Sequence, residues 1–588
     1  MNPYGASAAR TALNPRALRI LAFLGIFLIA SIVQWSVGAL ESGFGGFEDE
    51  PAHLVTGLMV RDWMASALGL MDTGGPSWTD PRGFGEFFYT HYPKVSVGQW
   101  PPIFHGLLGA WMLPFGTSKL AILVLLTLLT SATSYLVFGA VRNMHGIAAG
   151  AVAAVLLLTV PIVQLCGAAA MTEIPLALFS LLAVFAFGRY LEYGHARWIW
   201  GFAVASILTL LTKGSGLALG LLPIICIPLS GKWGFLKRPS LWLSGALVAL
   251  LTAPWYLATV SMTQDSWGGG ATPSLGYAKF AASRYFPWMV DLLGPIGAVL
   301  VPFGIAVGVR DFHRGAKGGG RSLAFSGWAV ALLVLIHVVP SSVEERHLAV
   351  LAPAWVALAA LGAGGVARGL LRRSQAGRPH VEAVFREQQC AALAITLVGI
   401  CALLWHGGRP TKDFRGWDQA GQQLVSAEEA PAGGAEVPAE LPAELRVLIA
   451  SDPVGEGLFV AGAAFADKRR PYHYSIRASK ALCFAGWSGR TYEQRFADPT
   501  ELEAWLVSKG IGTLVIDRSV EGSRHWYAHM DQLEAIVAAE GARWDVHQSW
   551  DAVRGSVVYP GAVVAYRHRD RGQMPHPILN LADVRPAP

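Results

Sequence analysis

Three carboxylates stand together in the segment FEDEPAHLVTGLMVRDW, residues 47–63: Glu48, Asp49 and Glu50. They lie just after the first long apolar run and directly before Pro51, a residue suited to the first turn of a helix. The dipole of such a helix helps to keep a carboxylate at its start ionised, and at a membrane face that carboxylate can accept a proton from a hydroxyl presented by water. Asp49 is the candidate base and Glu50 a supporting group; a solvated acidic loop is the plain alternative. Glu173 stands alone in MTEIPLALFSLLAVF, residues 171–185, between two apolar runs. Ionisable residues there are costly and tend to be functional, although Thr172 and Glu173 could simply open a helix. TLLTKGSGLALGLLP (209–223) puts Lys213 between apolar segments, where it could bind a substrate phosphate; a snorkelling lysine is the plain reading. SSVEERHLAVLAP (341–353) supplies Arg346 and His347. A guanidinium matches phosphate oxygens bidentately, while an ion pair with Glu344 or Glu345 is the alternative. Lys94, in HYPKVSVGQWPPIF (91–104), could meet an anionic lipid headgroup, and His53 joins His347 as a candidate substrate contact. Asp49, Glu50 and Glu173 together could also hold a divalent cation, because oxygen ligands suit Mg²⁺, Ca²⁺ or Mn²⁺.

The elements that must position these residues are membrane spans. Of the 588 residues 53% are hydrophobic and 15% charged, against about 25% charged in soluble domains. Residues 1–407 hold 26 Lys and Arg against 17 Asp and Glu, whereas residues 408–588 hold 20 against 23. The basicity therefore belongs to the membrane half, where loop charge sets orientation, and does not argue for nucleic acid. Five cysteines show no metal-ligand spacing, and only Cys483 falls in the polar C-terminal region, so no disulfide framework is expected there. Runs of about 20 apolar residues predict eleven spans: 17–40, 119–140, 146–165, 174–191, two within 198–229, 241–259, 292–309, 323–339, 348–366 and 391–406. The first run is longer than the 7–15 residues of a signal-peptide core, so an uncleaved span is expected. With the N-terminus inside, the inner segments collect most of the Lys and Arg, and Asp49, Glu173, Arg346 and the C-terminal region all fall outside.

Residues 41–118 form a long first outer loop. Leu54, Val55, Leu58, Met59 and Met64 recur at helical spacing, predicting a helix that lies in the membrane surface. The apolar stretch 101–115 is too short to span and reads as an interfacial or re-entrant helix. Beyond, residues 408–445 read as a linker and 446–588 as a small α/β domain. There RVLIASD (446–452) and IGTLVIDRS (511–519) are buried strands, with helices over 498–510 and 529–541. The expected fold class is thus mainly α: a polytopic helical bundle with surface helices and a C-terminal extracytoplasmic α/β domain. No internal repeat is visible.

Over about residues 15–370 the chain resembles the GT-C glycosyltransferases, in particular the bacterial branch similar to aminoarabinose transferases and protein mannosyltransferases. The resemblance rests on an ordered series: Asp49-Glu50 after the first span, Pro101-Pro102, MTEIPLA, LTKG at 211–214, PWY at 254–256 and RHLAVLAPA at 346–354. It implies a polyprenyl-phosphate-linked sugar donor, a lipid, glycan or protein acceptor, and transfer on the outer face of a cell inner membrane. Asp49 matches the family's base, Glu173 its second acidic position, and Arg346 an arginine often followed by tyrosine, where His347 stands here. Many relatives carry Lys or His directly before the proline pair; this chain has Gln99-Trp100, with Lys94 as the nearest substitute. The resemblance names no cofactor; the divalent cation is what the three carboxylates Asp49, Glu50 and Glu173 could hold. The rival readings are a secondary transporter, whose sites usually lie at the midplane between repeated halves, and a non-catalytic relative acting in envelope polysaccharide assembly.

Overall fold

The long apolar runs of the sequence become helices because a backbone inside lipid must satisfy its own hydrogen bonds. The computed structural model describes residues 15–96, 98–263, 272–372, 380–429, 444–468, 470–484, 492–520 and 527–585. The helices of the membrane half are α1 (Pro15–Ser36), α2 (Glu50–Ala67), α3 (Pro81–His91), α4 (Ile103–Phe115), α5 (Lys119–His145), α6 (Ile147–Thr159), α7 (Pro161–Ala168), α8 (Glu173–Tyr193), α9 (Ala196–Leu210), α10 (Leu221–Ser230), α11 (Pro239–Thr263), α12 (Leu275–His313), α13 (Gly319–Val338), α14 (Ala352–Arg372) and α15 (His380–His406).

Among the described residues, eight of these are long and apolar enough to cross a membrane, and α6 with α7 makes a ninth if the pair, bent by 70°, is one span. The expected eleven is not reached, because the double run 198–229 folds into short pieces. At 1.5 Å per residue the 15 residues of α9 reach only about 22 Å, short of the roughly 30 Å hydrocarbon core. Helix α8 is apolar on every side and is the most enclosed, whereas α1, α11 and α15 lie at the periphery. Glycines let α12 and α14 touch backbone to backbone: a Cβ on Gly304 would stand 1.9 Å from the Leu358 carbonyl oxygen.

The first outer loop departs from its reading. Every residue from Glu50 to Met59 is buried, because α2 is covered by α4 on one side and by the C-terminal domain on the other, rather than lying in the membrane surface. The linker also differs. Residues 414–429 form β1 (Phe414–Arg415) and α16 (Trp417–Glu429), which belong to the C-terminal domain; 430–443 lie outside the described residues. Trp417, Leu424 and Val425 explain this: they give α16 an apolar face that packs on α17 (Pro453–Ala466).

The remaining strands are β2 (Arg446–Ala450), β3 (Tyr474–Arg477), β4 (Cys483–Phe484), β5 (Glu493–Gln494), β6 (Thr513–Asp517), β7 (Trp544–Arg554) and β8 (Val557–His568). Six of them form a mixed sheet in the order β1-β7-β8-β6-β2-β3, in which β6, β2 and β3 run parallel. Leu448 on β2 pairs with Ile476 on one side and Leu514 on the other. These three face one apolar cluster, while Val447, Ile449 and Val515 face a second that is continuous with the membrane half. Burial on both faces is why RVLIA reads as an unbroken apolar run.

Candidate functional site

Asp49 immediately precedes α2, Glu173 opens α8, Lys213 follows α9, and Arg346 sits in the short turn before α14. Helix ends on one face of the bundle bring the four together. Arg346 Nη1 lies 2.7 Å from Asp49 Oδ2, its Nε lies 2.6 Å from Glu344 and 4.0 Å from Glu173, and Lys213 Nζ lies 2.5 Å from Glu173 Oε1. Of the two readings of Arg346, the ion pair with Glu344 is present, and the guanidinium also reaches Asp49. Burial alone would lower the pKa of Arg346, but Glu173, Asp49 and Glu344 outweigh it and push the pKa up.

These residues line a cavity of about 2300 Å³. Ligand pockets commonly measure about 300–1,000 Å³, so this one has room for more than one substrate. Its membrane side is apolar and aromatic, with Trp255, Met262, Phe280 and Leu335 from α11, α12 and α13 and Val339 just after α13. Its other side is built by α3, Lys94 and the C-terminal domain.

Solved structures are similar to the chain in fold. ArnT from Cupriavidus metallidurans in the apo state is 14% identical, with 93% of this chain and 98% of that chain covered and a TM-score of 0.51. The same protein bound to undecaprenyl phosphate is also 14% identical, with coverages of 94% and 98% and a TM-score of 0.50. The chain has the GT-C fold. An oligosaccharyltransferase from Archaeoglobus fulgidus in its apo form is similar at 14% identity, with coverages of 92% and 76% and a TM-score of 0.49. In sequence, residues 99–257 match the family described as dolichyl-phosphate-mannose-protein mannosyltransferase. That stretch includes Glu173, Lys213 and Trp255 but neither Asp49 nor Arg346. No curated protein sequence matches the chain.

The other expected residues separate. Glu50 does not face the cavity. Its buried carboxylate accepts from Lys412 Nζ at 2.7 Å, Ala170 N at 2.9 Å and Gly46 N at 2.8 Å, so it fastens the first loop to the turn before α8 and to the C-terminal segment. Glu50 is a framework group, because adjacent positions at a helix start point in different directions. His53 is fully buried behind the site, 3.0 Å from His105, and burial pushes its pKa down to about 3, leaving it neutral. It does not line the cavity. His347 does, with Nδ1 2.9 Å from the Tyr285 hydroxyl; burial and then Lys213 push it to about 3, so it too is neutral. Lys94 opens on the cavity and donates to the Pro453 carbonyl at 3.3 Å. Protein surrounds it closely enough that burial, aided by Arg477 and opposed by Asp49, lowers its pKa to about 7. Close approach of α17 makes this possible: a Cβ on Gly457 would stand 2.9 Å from Lys94 Cε.

A divalent cation shared by Asp49, Glu50 and Glu173 does not fit this geometry. Each carboxylate is already turned to its own cation, Arg346, Lys412 or Lys213. Among the described residues, Glu429, Asp467 and His473 form the one group with metal-like spacing. There His473 Nδ1 accepts from Leu445 N at 3.1 Å, so in the neutral ring Nε2 carries the proton toward Glu429 and is not a ligand.

Two participants escaped the sequence reading. Lys412 sits in a segment read as linker, 362 residues from Glu50, and nothing local marks it. Glu48, in the acidic triplet, lines the cavity, and burial followed by Asp49 raises its pKa.

Proposed function

We propose that the chain is a membrane glycosyltransferase that moves a sugar from a polyprenyl-phosphate donor to a hydroxyl acceptor at the outer membrane face. The observation that carries this reading is the position of Asp49 and Arg346, at the junction between an apolar membrane groove and a polar chamber. A polyprenyl chain suits the groove along Trp255, Met262 and Phe280, which leaves its phosphate beside Arg346, Lys213 and Lys94. In the free chain Arg346 is held by Asp49, Glu344 and Glu173; a phosphate competes for the guanidinium and releases Asp49 toward the acceptor.

Asp49 then takes the proton of the acceptor hydroxyl as its oxygen bonds to the anomeric carbon. The bond from that carbon to the phosphate oxygen breaks, and polyprenyl phosphate leaves with the electron pair. Glu173 is bound to Lys213 and so is not placed as a covalent nucleophile, which favours a single, inverting displacement. The positive inner loops orient the chain with its N-terminus cytoplasmic and its C-terminal domain outside an inner membrane. General base catalysis typically contributes about 10²–10⁴-fold, so Asp49→Asn should remove transfer of radiolabelled sugar by that factor in purified, folded protein. Undiminished transfer by this variant overturns the assignment of the base.

A further inference from the structure

The cavity has a second charged wall, on the C-terminal domain. Open α/β sheets bind ligands at the carboxyl ends of their parallel strands, and here β2 and β3 end at the cavity with Ser451 and Arg477. The crevice between β2 and β6 is already filled. Arg554 pairs with Asp452 at 2.7 Å and Asp517 at 3.1 Å, and Trp417 donates to Asp517 at 2.8 Å.

The β3 side is open. Arg477 is neutralised there by Glu456 at 2.8 Å. Lys480 follows it, and Arg585 arrives from the far end of the chain to line the same wall. No carboxylate lies within ion-pair distance of Lys480 or Arg585 among the described residues. Burial and then Arg477 lower the pKa of Lys480 to about 8, a cost that an anion would relieve. Tyr492 and Tyr527 line the wall too, stacked with centroids 4.8 Å apart and planes 18° from parallel. Cations that have no ion-paired carboxylate among the described residues, on a wall that also carries an aromatic pair, suit a sugar bearing a negative charge.

We propose that Lys480, Arg585 and the Tyr492–Tyr527 pair form an acceptor subsite for a glycan or glycolipid that carries a phosphate or carboxylate. This rests on the glycosyltransferase reading only for the word acceptor. The donor's phosphate is tied to the membrane groove by its lipid, whereas this wall belongs to the domain outside the bundle.

The test uses the full chain in phosphatidylcholine nanodiscs, with mannose 6-phosphate, glucuronic acid and mannose as probes and binding read by saturation-transfer NMR. At least one charged sugar should bind about tenfold more tightly than mannose, and the tighter of the two identifies the anion. Lys480→Gln/Arg585→Gln should abolish that preference, while Lys480→Arg/Arg585→Lys and Arg346→Gln should keep it. Equal binding of all three sugars overturns the proposal, as does a preference that survives Lys480→Gln/Arg585→Gln. A preference lost instead with Arg346→Gln assigns the anion to the donor end and also overturns it. Because no transfer is measured, a failed Asp49→Asn experiment leaves this result intact.

Discussion

Replacing Lys412 by methionine should unfasten the loop that carries Asp49. Lys412 and Glu50 are both almost wholly excluded from solvent, 1% and 0% exposed at the side chain, and 2.7 Å apart. Removing one partner of a buried pair commonly costs about 3–5 kcal/mol, because the other charge is left uncompensated. Here the carboxylate keeps its two backbone donors, Gly46 and Ala170, which limits the loss. Against that, Lys412 also donates to the Ala168 carbonyl at 3.0 Å, and an orphaned buried acceptor costs about 1–3 kcal/mol. The two corrections are of similar size and opposite sign, so about 3–5 kcal/mol is the expected destabilisation. Glu50→Gln in the same background removes the stranded charge but turns its amide nitrogen toward one of the two backbone N–H donors, so it should recover only part of the loss. The assay is a double-mutant cycle on denaturant unfolding in detergent micelles, with sugar transfer measured on the folded fraction. A Lys412→Met protein within about 1 kcal/mol of wild type, or a double variant no better than the single, would refute the fastening role.

Four further outcomes follow from the same contacts. Lys94, lowered to about 7, should lose charge as pH rises through 7, so the affinity for a short polyprenyl phosphate should weaken by up to about tenfold per unit above pH 7, and Lys94→Met should flatten that profile. The linked stability term has the opposite slope: the unfolded lysine binds its proton up to about pH 10.5, so the penalty for burying Lys94 is full below pH 7 and fades between 7 and 10.5, which unfolding measured against pH will show. Gly457→Ala puts a Cβ 2.9 Å from Lys94 Cε and 3.1 Å from Pro51 Cγ, and should cost about 1–3 kcal/mol in unfolding experiments while weakening donor binding. Arg470→Met strands the fully buried Asp62, although Arg61 remains 2.5 Å away, so a loss near the lower end of about 3–5 kcal/mol is expected, seen as earlier release of the C-terminal domain in limited proteolysis.

What was legible in the sequence was what neighbouring residues encode. Asp49, Glu173 and Arg346 each stand at the edge of an apolar run, so span length and loop charge sufficed to place them on one face. The strands RVLIA and TLVID were legible because burial on both faces leaves an unbroken apolar run. Contacts across great sequence distance were not. The partner of Glu50 comes from residue 412, that of Asp62 from residue 470, and that of Tyr92 from Asp467. Glu50 and His53 looked like site residues because they share a segment with Asp49, yet a helix start sends adjacent side chains in different directions. The apolar stripe of α2 predicts a surface helix; its polar side is buried against α17, more than 380 residues later.

Those long-range contacts also bear on how a site can manage changing charge. Under the proposed reaction the departing polyprenyl phosphate gains negative charge as the glycosidic bond breaks, and catalysis depends on cations already aimed at it. Arg346 and Lys213 are each held by carboxylates, which partly cancel their charge. Lys94 differs, because its pKa of about 7 leaves it divided between charged and neutral forms near neutral pH. An arriving phosphate favours the charged form, so the site gains a cation when an anion appears and lacks that surplus when empty. The Pro453 carbonyl and Gly457 of the C-terminal domain hold Lys94 in the enclosed position that lowers its pKa. The domain therefore contributes to the membrane site by setting the proton affinity of a residue it does not itself supply.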